Sequence, residues 1–105
     1  WHSAAMIDAP VLEHVLLPVP ADRAADFEEA FARARPLIQA VPGFRGLQLS
    51  RCLERDDAYL LLVGCDTVEA HTVGFRGSPA YQDWRALLHH FYDPFPVVEH
   101  FVPVI

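Results

Sequence analysis

The stretch from Ala58 to Cys65 reads AYLLLVGC, and its apolar residues fall on both parities of an extended chain: Leu61 and Val63 point one way, Leu60 and Leu62 the other. Val11 to Val19 (VLEHVLLPV) is nearly as apolar. Strands of this kind belong inside a layered structure, with both faces covered. Yet the chain has only two main helical segments, and these cover one face of a sheet. The second face needs a cover from elsewhere, and a second copy of the same sheet is the simplest one.

The remaining elements follow from periodicity and punctuation. Asp22 to about Ala40 predicts a helix, with Phe27, Ala30, Phe31, Ala34, Ile38 and Val41 forming one stripe and Asp22 as N-cap. Pro36 predicts a kink one turn before its end, and Pro42-Gly43 stops it. Phe44 to Leu53 and Ala58 to Cys65 form a hairpin around Glu54-Arg55-Asp56-Asp57. Asp66-Thr67-Val68-Glu69 has the pattern of a capping box opening a short helix, which Gly74 and Gly77 break. Ser78-Pro79 starts a second main helix that runs to about Tyr92 with Tyr81, Trp84, Leu88 and Phe91 on its apolar side. Val97 to Val104 is the last strand. The order β-α-β-β-α-β predicts an α+β, ferredoxin-like sandwich on an antiparallel sheet, spanning residues 11–105 as one domain behind an N-terminal tail at residues 1–10. Trp1 to Ala5 precede Met6 and are set aside as a cloning remnant.

Composition narrows the partners. At 105 residues the chain is sized for one core, and its 52% hydrophobic content is slightly high, as expected of a protein that hides a face in a homodimer. A formal charge of -6 argues against nucleic acid and anionic membranes. No apolar run approaches the roughly 20 residues of a membrane helix. Cys52 and Cys65, with Cys52 near Leu60 and Cys65 near Leu47 in the expected hairpin register, lie roughly 16 Å apart along the ladder. A disulfide cannot span that, and reduced thiols without an export signal predict a cytoplasmic protein.

Chemistry is carried by a handful of residues. His14 sits in an apolar strand, on the face of Leu12 and Leu16, where it serves either as a general base in a cavity or as a core histidine held by a backbone carbonyl. His71, followed by Phe75 and Arg76, lines the cavity mouth or is a solvated loop histidine. Trp84 is either a cavity wall or a plain core residue, and Arg85 either a fixed cation for an anionic oxygen or a surface arginine. No metal site is expected. His89 and His90 point about 100° apart on a helix, too divergent for one ion. The echo of Val11-Leu12-Glu13-His14 in Val97-Val98-Glu99-His100 sends the Glu and His of each pair to opposite faces.

The element order, the Val41-Pro42-Gly43-Phe44 turn and Tyr59-Leu60-Leu61-Leu62-Val63 resemble the antibiotic biosynthesis monooxygenase domain. So do His71-Thr72-Val73-Gly74-Phe75-Arg76-Gly77-Ser78-Pro79, Tyr81, Trp84 and Leu87-Leu88-His89-His90-Phe91-Tyr92. The resemblance covers Val11 to Val104 and implies a ferredoxin-like domain that pairs into a dimeric α+β barrel. It implies a monooxygenase that oxidises an aromatic or phenolic small molecule with dioxygen and no cofactor. His14, His71 and Arg85 then fall to catalysis, and Phe75, Tyr81 and Trp84 to substrate binding. The same resemblance leaves two alternatives, a non-catalytic small-ligand or stress-response barrel and a haem-binding or haem-degrading protein. In the haem-degrading branch an asparagine, a tryptophan and a histidine are essential, and His14, Phe75 and Arg85 stand near those positions.

Overall fold

The computed structural model describes residues 7–105, so the supposed remnant at residues 1–5 lies outside the described chain. Four strands form one sheet: β1 (Val11–Pro18), β2 (Phe44–Arg51), β3 (Ala58–Cys65) and β4 (Val98–Phe101). Their spatial order is β2-β3-β1-β4, and every neighbouring pair is antiparallel. Helix α1 (Ala24–Gln39) follows β1, and helix α2 (Pro79–Leu88) lies between β3 and β4. Both helices lie on one face of the sheet, giving the α+β ferredoxin-like sandwich.

The apolar stripe of α1 explains its seat. Phe27, Ala30, Phe31, Ala34 and Ile38 are all buried, as are Trp84 and Leu88 on α2. They pack on Val15, Leu17, Tyr59, Leu61 and Val63 of the two central strands. Phe27 lies at the centre, its ring 5.0 Å from Tyr59 and 5.5 Å from Phe91. Burying a side chain of this size contributes about 2–3 kcal/mol.

The helix starts differ from expectation. Asp22 does not cap α1, because a 3₁₀ turn (Ala21–Arg23) comes first and Arg23 takes the capping position without a side-chain bond. Pro36 does not interrupt α1, which continues to Gln39. After β3 the cap is Thr67 rather than Asp66: Thr67 Oγ1 accepts from the Ala70 N–H at 3.0 Å. Asp66 instead pairs with Arg45 across the sheet edge. The segment Ala70–Phe75 is then wound as a π-helix, with the Arg76 N–H donating to the His71 carbonyl at 3.1 Å. Gly43 has φ 89°, which only glycine adopts freely, and a side chain there would also press on Ala70.

The hairpin register is displaced from expectation. Phe44, not Leu47, faces Cys65, and the Cys52 N–H donates to the Ala58 carbonyl rather than lying near Leu60. An irregularity between Phe44 and Gly46 contributes to the offset. Both cysteines are free thiols. The last strand ends at Phe101, three residues short of Val104.

The face of the sheet away from the helices carries Leu12, His14 and Leu16 from β1, Leu60 and Leu62 from β3, and Phe101 from β4. Leu16 is 50% exposed and Phe101 49%. At its Gly64 end this face is crossed by Ile7 and Ala9, which leave no room for a side chain at that glycine.

Candidate functional site

A cavity of about 160 Å³ opens between the helical layer and the sheet. Val15, Leu17, Ile38, Leu61 and Trp84 form its apolar walls. Six polar groups enter it: Glu13, His71, Arg76, Tyr81, His89 and Tyr92. Phe95, Pro96 and Val98, from the segment before and within β4, close one side.

Glu13 comes from β1 and is only 3% exposed, although it is a carboxylate. Strand alternation sends it to the helix side, between Val11 and Val15. Its Oε1 lies 3.0 Å from His71 Nε2, which descends from the π-helical turn. Extra backbone turns of this kind are frequent at functional sites. Burial pushes the Glu13 carboxyl up to about 7, against a smaller downward pull from Arg76. Burial likewise drives His71 down to about 4, helped by Arg76 and His100. Both groups are therefore pushed towards their neutral forms, and one proton shared across the 3.0 Å contact fits them better than a full ion pair. Opposite Glu13 on β4 stands His100, with its ring centroid 5.8 Å from that of His71. The Nδ1 of His71 and the Nε2 of His100 are buried without a hydrogen-bond partner.

The expected site residues separate into two groups. His71, Tyr81 and Trp84 line the cavity together. Phe75 is 1% exposed and stands behind them, its ring 5.4 Å from both Tyr81 and Trp84. It supports the wall rather than lining it. His14 and Arg85 stand apart from them. His14 projects from the opposite face of the sheet and meets Phe101 edge-on at 5.5 Å. Arg85 on α2 is exposed and does not line the cavity, although its charge is felt by His89, which does. The acidic group and the guanidinium that do line the cavity are Glu13 and Arg76.

A signal for these residues was present in the repeated Glu-His dipeptide. Antiparallel pairing crosses the two copies, setting Glu13 against His100 on the helix side and His14 against Glu99 on the other. Each face therefore receives one mixed pair. Within a copy, Glu and His do point to opposite sides, as expected, but the pairing joins them between copies.

Comparison with known proteins agrees with this architecture. Residues 10–87 match the family model for antibiotic biosynthesis monooxygenases. The uncharacterised protein YczJ of Bacillus subtilis (strain 168) is 49% identical over 94 residues, covering 90% of this chain and 99% of that protein. A solved structure from Bordetella bronchiseptica, provisionally named an antibiotic biosynthesis monooxygenase, superimposes with a TM-score of 0.86 at 37% identity, covering 90% of this chain and 97% of its own. A monooxygenase of Streptomyces coelicolor, solved in complex with the ligand nanaomycin D, shares the fold with a TM-score of 0.75 at 21% identity, over 90% of this chain and 88% of that one. The chain belongs to the antibiotic biosynthesis monooxygenase family.

Proposed function

We propose that the cavity binds a small phenolic or other aromatic molecule and oxidises it with dioxygen without a bound cofactor. The observation that carries this reading is the Glu13–His71 pair, buried at the wall of an apolar, aromatic cavity with Arg76 nearby. Dioxygen reacts with an organic molecule unaided only when that molecule is electron-rich, and ionising a phenol makes it so. Glu13 takes the phenolic proton, which suits a carboxylate poised near neutrality. His71 positions Glu13, and Arg76 holds the phenolate oxygen. One oxygen atom then enters the ring and the other leaves as water. The phenol supplies all the electrons and ends as a quinone. Trp84 and Tyr81 bound the ring, with Phe75 bracing both.

Size limits the substrate. A cavity of about 160 Å³ matches the roughly 150 Å³ known to hold one benzene ring. Substrates of one ring are favoured over polycyclic ones, and a porphyrin does not fit without extensive opening. That the Streptomyces coelicolor relative is a monooxygenase with a bound small molecule supports the reaction class. We also propose that the chain works as a homodimer through its open sheet face. A cytoplasmic setting accords with its two free thiols.

Oxygen uptake and quinone absorbance, measured in the presence of a chelator across one- and two-ring phenols and hydroquinones, test the oxidation. Turnover is expected, with Glu13→Gln lowering kcat by about 10²–10⁴-fold. Absence of turnover across the panel overturns the reading. If phenols then still raise the melting temperature unconsumed, the protein is a non-catalytic binder.

A further inference from the structure

We propose that Glu13, His71 and His100 form a binding site for one divalent transition-metal ion. One ligand atom from each residue lies within 4.8 Å of those of the other two. The fold sets them there from three elements. Glu13 and His100 are direct cross-strand partners on β1 and β4, so their side chains leave the sheet side by side. His71 faces them from the π-helical turn.

A further observation points to a missing ligand. The Nδ1 of His71 and the Nε2 of His100 are buried with no hydrogen-bond partner. Buried polar atoms are nearly always satisfied, so the unpartnered Nε2 of His100 calls for a partner. A metal ion takes one nitrogen from each ring, and on His71 the Nε2 already faces Glu13 at 3.0 Å.

The donor set names the class of ion. Two imidazoles and one carboxylate suit iron, cobalt, nickel or zinc in the divalent state, whereas calcium and magnesium prefer all-oxygen sites. Three protein ligands leave open positions for water or a ligand. Arg76 opposes a cation, since its charge is felt by all three groups. It is exposed, however, and solvent screens it.

This inference goes beyond the oxidation and does not rest on it. A bound ion occupies the carboxylate that the oxidation uses as its base, so metal loading and that activity exclude one another. The test is therefore run on the chelator-stripped protein without substrate. Co²⁺ is titrated in, and its visible absorption and competition against a chromophoric chelator are followed. One Co²⁺ per chain is expected. His100→Ala and Glu13→Gln should each weaken binding at least tenfold, and Arg76→Gln should tighten it. His14→Ala, on the other face, should leave it unchanged. No Co²⁺ binding by the native protein overturns the proposal, as does binding that His100→Ala leaves intact. Circular dichroism checks that each variant is folded, and the surface variant Arg76→Gln provides a reading free of core damage. Failure here leaves the oxygen-uptake assay untouched, because that assay is run in chelator.

Discussion

A single strand position separates Glu13 from His14, and that step decides which of them meets the cavity. On a strand, one residue is a change of face. The same rule governs the two thiols. Cys65 ends β3 on the helix side and is buried. Burial, reinforced by the Glu13 and Asp66 charges, pushes its thiol up to about 11. Only the thiolate is nucleophilic, so at pH 8 roughly one Cys65 in a thousand is reactive even before access is considered. Cys52 lies just past β2 and is half-buried. Iodoacetamide at pH 8 is therefore expected to label Cys52 alone, and native Cys52→Ser should stay unlabelled by mass spectrometry until denaturant is added. Rapid labelling of native Cys52→Ser would show that β3 opens at its end. Cys65 thus reads as a small core side chain rather than a catalytic nucleophile.

Elements are tied together here by few polar contacts, and one joins three of them. Tyr59 on β3 donates its hydroxyl proton to Glu28 on α1, and Arg51 on β2 reaches the same carboxylate oxygen. The Tyr59 bond, then Arg51, holds the Glu28 carboxyl below its ordinary value. A carboxyl lowered in the folded state contributes stability above its unfolded value, and that contribution is lost as pH falls through the folded one. Tyr59→Phe keeps the ring against Phe27 and removes only the hydroxyl. It should cost about 1 kcal/mol at neutral pH, and its melting temperature should converge on that of the parent as pH falls below the ordinary carboxylate range. A constant gap down to acid pH would place the cost in ring packing instead. Elements themselves were readable in the sequence because β3 and α1 carry strong periodic signals, and the bounds of Ala58–Cys65 are those expected. What escaped were features set by neighbours. The Thr67 cap sits one residue after the expected box, since Asp66 is drawn to Arg45. The hairpin register is offset, in part through the irregularity near Gly46.

The molecule as a whole presents a sheet with helices on one face, and this is also why the cavity was only half legible in the sequence. Apolar residues at both parities of β1 announce two covered faces, but they do not say which face receives the helices. His14 was correctly grouped with Leu12 and Leu16, and that group proved to be the outer one. The outer face remains a large apolar surface on a small chain, with Leu16 half exposed at the centre and Phe101 at its edge. A patch of this kind is costly in water and is commonly buried by a partner. A second sheet packed on it at the usual spacing of about 10 Å would cover Leu12, Leu16, Leu60 and Leu62 together. His14 would then be enclosed at the interface, where its edge-on contact with Phe101 keeps the ring in place. Sedimentation equilibrium should give twice the chain mass for the native protein. Leu16→Glu and Leu62→Glu place a charge at the middle of the apposed sheets, far from the helix-side core. Each should yield a folded monomer at micromolar concentration, because two like charges would be buried against each other. A native protein that sediments as a monomer at high concentration would instead leave the outer face to another partner, and the two glutamate variants would then differ little from it in mass.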